Sequence, residues 1–200
     1  MKIILVGGFL GSGKTTFIRH LAAFLVLEKQ KKVVVLENEF GEVSIDDQFL
    51  AKKGFMVKGI YGGCICCQLT GKLVVAVNQI AEEMAPDYLI IESTGLARPD
   101  TVLKNIRDFA TGRAADASDV IIVLVDASRW EGLSELTPDL IFAQIEAANV
   151  LIVSKIDELE KDPKFVVDEL VKVNERAKII TGNIRNGLDK AILEELSEYV

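Results

Sequence analysis

The three cysteines of this chain, Cys64, Cys66 and Cys67, form one compact cluster behind a pair of glycines. Thiolates are soft ligands that favour Zn²⁺ and neighbouring transition metals, and the glycines allow a tight backbone turn around one ion. A tetrahedral site needs a fourth ligand, either water or one of the upstream acids Glu37, Glu39 and Glu42. The cluster therefore predicts a metal site, with buried or redox-active thiols as the alternative.

A second chemical motif, Gly8-x4-Gly13-Lys14-Thr15, lies between an apolar run and a segment of helical period. In that context the pattern is typical of a phosphate-binding loop, whose backbone amides and helix dipole hold phosphate oxygens. Lys14 would neutralise the β- and γ-phosphates, and the Thr15 hydroxyl would be a Mg²⁺ ligand. The predicted nucleotide-binding residues of this loop are Gly8, Gly11, Ser12, Gly13, Lys14, Thr15 and Thr16.

A later apolar run ends in Glu92-Ser93-Thr94-Gly95. An acid at the end of a buried strand, in a chain that also carries a phosphate loop, is well placed to hold Mg²⁺ or its water. We predict that Glu92 has this role and that Gly95 lets a backbone amide approach the γ-phosphate.

A third run ends in Ser154-Lys155-Ile156-Asp157. An aspartate at this position can accept hydrogen bonds from both N1 and N2 of guanine, whereas adenine lacks these donors. The lysine stem would lie along the base with its charge in water. We therefore predict GTP or GDP as the nucleotide, bound in part by Ser154, Lys155 and Asp157.

Short β-branched runs alternate with segments of helical period, which predicts an α/β fold with a mostly parallel β-sheet flanked by helices on both faces. The predicted strands are residues 2–7, 32–37, 88–92, 120–126, 150–154 and 178–181. The predicted helices are residues 14–29, 69–84, 133–147, 158–175 and 188–199. A glycine-rich and acidic insertion at about 38–68 interrupts this alternation, with a short helix near 46–53 and a short strand near 55–58.

Length and composition limit the function classes. With 200 residues, half of them apolar, the chain suits a single domain spanning 1–200. Its formal net charge of −7 disfavours a nucleic-acid partner. We find neither a signal-peptide core nor an apolar run long enough for a membrane helix, and we expect a cytoplasmic protein without a membrane partner.

Together these motifs resemble the CobW/UreG/HypB/MeaB class of P-loop GTPases, and most closely its CobW-type branch. The resemblance covers most of the chain, in the order GGFLGSGKTT at 7–16, ENEFGEV at 37–43, CICC at 64–67, ESTGLARP at 92–99 and SKID at 154–157. It implies a P-loop NTPase fold of the SIMIBI type. The chain departs from CobW-type proteins by ending at Val200, without the C-terminal domain that usually follows.

The resemblance further implies a metallochaperone or metallocofactor-insertion factor that couples GTP hydrolysis to the delivery of Zn²⁺, Co²⁺ or Ni²⁺ to a client protein. It implies that residues 37–47 form a switch in which Glu42 and Asp46 approach the phosphate or the metal. The implied catalytic residues are Lys14, Thr15, Glu42, Asp46 and Glu92, and the implied ligands of the transition metal are Cys64, Cys66, Cys67, Glu37 and Glu42. A homodimer across the nucleotide face is compatible with this class.

Two other functions compete with this interpretation. One is a P-loop kinase or other phosphotransferase, in which the cysteines shape an acceptor pocket. The other is a metal or redox sensor that binds the nucleotide without hydrolysing it. For a GTPase we expect slow intrinsic turnover, because the switch segments contain no evident arginine finger or water-positioning glutamine.

Overall fold

The computed structural model describes residues 1–37, 56–59, 68–185 and 187–200. In this part of the chain the strands form one parallel sheet in the order β3-β2-β4-β1-β5-β6-β7. The strands are β1 Lys2–Gly8, β2 Val33–Glu37, β3 Met56–Gly59, β4 Tyr88–Glu92, β5 Ser118–Asp126, β6 Val150–Ser154 and β7 Lys178–Thr181. The α/β class and the parallel sheet are thus confirmed.

Helices cover both faces of the sheet, as its apolar strands require. The helices in the described residues are α1 Lys14–Leu27, α2 Gln68–Glu83, α3 Pro99–Phe109, α4 Trp130–Leu136, α5 Pro138–Ala147, α6 Lys164–Val173 and α7 Lys190–Leu196. One core joins α1 and α7 to the sheet, with Phe17 and Leu21 fully buried. The second core joins α2, α3, α5 and α6 to the opposite face, through residues such as Ile80 and Leu170.

Prolines explain two differences from the predicted helices. The helix expected at 133–147 is two helices, because Pro138 cannot continue α4 and instead occupies the first turn of α5. The helix expected at 158–175 begins only at Lys164, directly after Asp162-Pro163. The residues before it include a single 3₁₀ turn, Ile156–Glu158.

Helix α3 was not predicted from the sequence. It begins with Pro99, and its buried residues form one narrow stripe that includes Leu103 and Ile106. Few apolar residues therefore mark its helical period in the sequence. The short strand expected near 55–58 is confirmed as β3. The short helix expected near 46–53 lies outside the described residues.

The register of the strands decides which residues meet at the carboxyl edge of the sheet. Glu92, the last residue of β4, is paired with Val6 of β1, two residues before Gly8 of the phosphate loop. On the other side of β1, Asp126 at the end of β5 is paired with Ser154 at the end of β6. The polar ends of these strands therefore surround the loop that follows β1.

Candidate functional site

The phosphate loop connects the end of β1 to the first residue of α1 and packs closely against β5. Gly8 has φ +129°, and a Cβ at this position would lie 2.4 Å from the carbonyl oxygen of Leu124. Backbone contact and a positive φ both exclude a larger residue here. The glycine of the predicted motif is therefore required by the close approach of the loop to the neighbouring strand.

Two polar groups inside the loop fit a phosphate ligand. Among the described residues, Ser12 Oγ is buried without a hydrogen-bond partner. Lys14 Nζ donates to the carbonyl oxygens of Gly8 at 3.0 Å and Phe9 at 3.1 Å. Burial lowers the pKa of Lys14, and the nearby positive charge of Arg129 also lowers it, while the negative charge of Glu92 opposes the shift. A phosphate would accept a hydrogen bond from Ser12 and compensate the buried ammonium charge.

Thr15 and Glu92, the two predicted Mg²⁺ ligands, are in direct contact. Thr15 Oγ1 lies 2.9 Å from Oε1 and 3.2 Å from Oε2 of Glu92, and it donates to this carboxylate. A hydroxyl and a carboxylate are hard oxygen donors of the kind that Mg²⁺ prefers. The residue types and their contact therefore fit a Mg²⁺ site beside the phosphate loop.

Gly95 approaches the phosphate loop from the side of β4. A Cβ on Gly95 would lie 2.6 Å from the backbone nitrogen of Leu10, so a side chain would collide with the loop. The segment is held by Gln144 of α5, whose Nε2 donates to the carbonyl oxygens of Gly95 at 3.2 Å and Ala97 at 2.8 Å. Gln144 is 1% exposed and was not predicted from the sequence. The only sign of Gln144 in the sequence was a polar residue within a mostly apolar helical segment.

The residues predicted to recognise the base are connected to the same loop. Ser154 Oγ lies 3.0 Å from the carbonyl oxygen of Ser12 and 3.2 Å from that of Val125. Ser154 thus joins the end of β6 to the phosphate loop. Lys155 has φ +55°, which turns the backbone sharply out of the strand. Asp157 lies in the following 3₁₀ turn and is exposed, so its carboxylate is accessible to a ligand.

Asp126 is a central residue of the site that sequence reasoning missed. Its side chain has no exposed surface and accepts hydrogen bonds from Ser128 Oγ at 2.6 Å, Arg129 Nε at 2.8 Å and Lys155 Nζ at 2.7 Å. Burial alone would raise the pKa of Asp126, but hydrogen bonds from Lys155, Ser128 and Arg129 and the charge of Lys155 lower it below its ordinary value. The available signal was the same as for Glu92, an acid that ends an apolar strand.

The acidic residue at the end of β2 lies at the same edge of the sheet. Glu37 is 7% exposed and is paired in register with Gly59, the last residue of β3. The other predicted metal-site and switch residues lie outside the described residues: Glu39, Glu42, Asp46, Cys64, Cys66 and Cys67. In the described ranges, no group of three or more His, Cys, Asp or Glu residues could hold a metal ion.

The parallel sheet, the glycine loop between β1 and α1 and the Thr15–Glu92 contact define a P-loop nucleotide-binding domain. The family model described as "CobW/HypB/UreG, nucleotide-binding domain" matches residues 2–181. The chain therefore belongs to the CobW/HypB/UreG family.

Known relatives agree with this assignment. The chain is 32% identical over 199 residues to the zinc chaperone YjiA of Escherichia coli (strain K12), covering 94% of this chain and 60% of YjiA. It is 26% identical to the zinc-regulated GTPase metalloprotein activator 1 of Dictyostelium discoideum, covering 90% of this chain and 45% of the relative. The chain thus spans less than two thirds of the length of these curated relatives.

Two solved structures share the fold. The hydrogenase maturation factor HypB from Archaeoglobus fulgidus superposes with a TM-score of 0.71 at 19% identity, covering 100% of this chain and 88% of that chain. Zn(II)-bound YjiA GTPase from Escherichia coli superposes with a TM-score of 0.68 at 26% identity, covering 96% of this chain and 60% of that chain.

Among the helices in the described part of the chain, none has the length and apolar character needed to cross a bilayer.

Proposed function

We propose that this chain is a metal-binding GTPase that acts as a metallochaperone or metallocofactor-insertion factor. It couples the binding and hydrolysis of GTP to the transfer of Zn²⁺, Co²⁺ or Ni²⁺ to a metalloprotein or to a cofactor-assembly partner. The names of its relatives support this function, since they include a zinc chaperone and a zinc-regulated GTPase metalloprotein activator. A crystal structure of HypB from Helicobacter pylori in complex with nickel is a further structural neighbour.

The position of β2 is the observation that carries the proposal. This strand lies between β3 and β4, and its last residue, Glu37, is paired with Gly59. Cys64 follows Gly59 by five residues, a span of at most about 18 Å when fully extended. On its other side, β2 borders the strand that ends in Glu92, the hydrogen-bond partner of Thr15. Glu37 therefore lies between the strand that leads to the cysteines and the phosphate site.

On the nucleotide side, each residue has a role that follows from its contacts. Ser12 donates a hydrogen bond to a phosphate oxygen, and the Lys14 ammonium exchanges its loop carbonyls for phosphate oxygens. Thr15 and Glu92 would hold Mg²⁺, and the bound ion would neutralise part of the negative charge of the β- and γ-phosphates. Asp157 accepts hydrogen bonds from guanine, while Ser154 keeps this turn attached to the phosphate loop.

On the metal side, Cys64, Cys66 and Cys67 bind the transported ion, and Glu37 or Glu42 completes the set of ligands. Glu42 and Asp46 belong to a switch that closes on the γ-phosphate and relaxes after hydrolysis. Because Glu37 begins this switch, closure changes the ligand set and hence the affinity for the ion. The client therefore receives the ion more readily in one nucleotide state than in the other.

The domain works in the cytoplasm, where thiols stay reduced and available for metal binding. It forms one unit over residues 1–200, and a homodimer across the nucleotide face would bring two phosphate loops together.

A metal titration of the reduced protein tests this function. Zn²⁺ affinity is measured by competition with a chromophoric chelator, without nucleotide and with a non-hydrolysable GTP analogue plus Mg²⁺. We expect the analogue to change Zn²⁺ affinity at least about fivefold, the lower end of typical coupling between sites. In parallel, Zn²⁺ should change the rate of phosphate release from GTP.

Variants of the cysteines and of Glu37 test which residues couple nucleotide binding to Zn²⁺ affinity. Cys66→Ser/Cys67→Ser should lose most of the Zn²⁺ affinity and keep GTP binding, whereas Glu37→Gln should reduce the effect of nucleotide on Zn²⁺ affinity. Glu28→Gln is the matched control, because Glu28 is an exposed acid at the far end of α1. Zn²⁺ affinity and GTP turnover that are independent of each other would refute the proposed function. Transfer of phosphate to a small molecule rather than to water would instead indicate a phosphotransferase.

A further inference from the structure

Arg129 lies against the phosphate loop, although it is far from every motif of that loop in the sequence. Its Nη2 donates to the carbonyl oxygen of Leu10 at 2.6 Å. A Cβ on Gly11 would lie 3.1 Å from Nη2 and 3.7 Å from Nη1, so the guanidinium lies beside the backbone of the loop. Its Nε donates to Asp126 at 2.8 Å, which fixes the base of the guanidinium.

The guanidinium has hydrogen-bonding capacity that the fold does not use. Among the described residues, Arg129 makes hydrogen bonds through Nε and Nη2 but none through Nη1. Its side chain is 44% exposed. An arginine that served only to brace the loop would need just the contact with Leu10. The Nη1 donors, which lie beside Gly11 of the loop, therefore have no partner among the described residues.

The charges around Arg129 favour an anion. Asp126 is a single carboxylate shared by two cations, Arg129 and Lys155. Lys14 is a third cation nearby, and the positive charge of Arg129 contributes to lowering its pKa, although burial is the larger cause. The acid that opposes them is Glu92, which is in contact with Thr15. Among the described residues, these three cations and two carboxylates leave an excess of positive charge at the loop.

We propose that Arg129 is a nucleotide-binding residue that contacts the outer phosphates of GTP and stabilises the negative charge that develops on them during hydrolysis. This inference rests on the proposed GTPase function. Arg129 would supply from within the chain a cation that residues 37–47 lack, as an arginine beside the transferred phosphate does in other P-loop enzymes. Leu10, the residue that Arg129 contacts, is also the residue that Gly95 approaches. Because we predict that Gly95 lies beside the γ-phosphate, we expect Arg129 at the same end of the loop.

Calorimetric titrations with GMP, GDP and a non-hydrolysable GTP analogue distinguish a phosphate contact from a brace. Arg129→Gln removes the charge but retains an amide that can donate a hydrogen bond, and Arg129→Ala removes both. A lost charge-assisted hydrogen bond should weaken binding of GDP and of the GTP analogue roughly tenfold or more, with little effect on GMP. The single-turnover rate of GTP hydrolysis should fall by a similar factor or more, and Arg129→Lys should restore part of it.

Arg176→Ala is the matched control, because it removes one exposed positive charge from the opposite edge of the sheet, just before β7. It should leave all three affinities unchanged. Equal weakening of GMP, GDP and the analogue in the Arg129 variants would identify Arg129 as a brace and overturn the inference, as would unchanged binding and turnover. If Arg129→Ala fails to fold, Arg129→Gln decides between these outcomes. Failure of the wild-type protein to bind or hydrolyse GTP would instead refute the proposed function itself.

Discussion

Replacing Asp126 by alanine should destabilise the protein more than any surface substitution, because this carboxylate joins the turn after β5 to the turn after β6 beside the phosphate loop. Its side chain is fully buried and accepts hydrogen bonds from Ser128, Arg129 and Lys155. The substitution leaves two cations without their shared anion and Ser128 without its acceptor. It also weakens the attachment of Arg129 to the loop at Leu10.

The size of the effect follows from burial. Removing one partner of a fully buried ion pair costs about 3–5 kcal/mol. Here the side chains of Arg129 and Lys155 are 44% and 29% exposed and can regain water, so the lower end applies. We expect a loss of about 3 kcal/mol in the free energy of unfolding for Asp126→Ala. In a chain of this length that corresponds to a decrease of roughly 6–12 °C in Tm.

Asp126→Asn separates charge from hydrogen bonding. The amide oxygen can still accept hydrogen bonds from Lys155 and Arg129 while the amide nitrogen donates to Ser128. We therefore expect a smaller loss in the free energy of unfolding, about 1–2 kcal/mol, which measures the contribution of the missing charge. Asp116→Ala is the control, since Asp116 is exposed and surface substitutions usually change stability by less than about 0.5 kcal/mol. Urea unfolding followed by circular dichroism gives all three values. A loss below about 1 kcal/mol for Asp126→Ala would refute the proposed importance of this cluster.

The pH dependence of this effect has a defined sign. The folded protein lowers the pKa of Asp126 below its ordinary value of 3.8 through hydrogen bonds and the charge of Lys155, which outweigh burial. A carboxyl group with a lowered pKa stabilises the fold above its unfolded pKa and loses this contribution as pH falls through its folded pKa. The stability difference between the wild type and Asp126→Asn should therefore be constant near neutral pH and shrink below about pH 4.

Three further substitutions test contacts of the site. Ser154→Ala removes the buried hydroxyl that contacts the carbonyl oxygens of Ser12 and Val125. Urea unfolding should show a loss of about 1–2 kcal/mol in the free energy of unfolding, and nucleotide binding should weaken. Unchanged nucleotide binding would contradict the positioning role of Ser154. Gln144→Leu leaves the carbonyl oxygens of Gly95 and Ala97 without their hydrogen-bond donor. We expect a loss of about 1–3 kcal/mol in the free energy of unfolding and a changed rate of GTP turnover. An unchanged turnover rate would show that this segment is irrelevant to catalysis. Gly95→Ala places a methyl group 2.6 Å from the nitrogen of Leu10, so calorimetry should show weaker binding of the GTP analogue than in Gly71→Ala, whose Cβ would meet open space.

Much of the fold could be predicted from the sequence, because parallel strands covered on both faces are continuous apolar runs. Six strands were predicted to within two residues of their observed ends, and β3 was also expected. Helix boundaries were less accurate where a proline interrupts the helical period. Pro138 and Pro163 mark the start of α5 and α6, and both could have been used as helix-start signals.

Some residues of the candidate site lie in short sequence motifs, whereas others come together only through contacts that are distant in the sequence. Residues in short motifs, such as Lys14 and Thr15, could be predicted because phosphate binding requires a local backbone shape and specific residue types within a few positions. Asp126, Arg129 and Gln144 were missed because their roles depend on contacts across long stretches of sequence. Arg129, for example, contacts a residue 119 positions earlier in the chain.

The sequence alone determined which residue types are available for chemistry: a glycine loop with Lys14 and Thr15, an acid after an apolar strand, a Ser-Lys-x-Asp motif and a cysteine cluster. These are properties of residue type and spacing, which a local pattern contains in full. The tertiary structure alone decided the strand order, in which β1 lies between β4 and β5 and β2 lies between β3 and β4. That order is set by the packing of helices on both faces and not by any local pattern, and it places Glu92 and Asp126 on opposite sides of one loop.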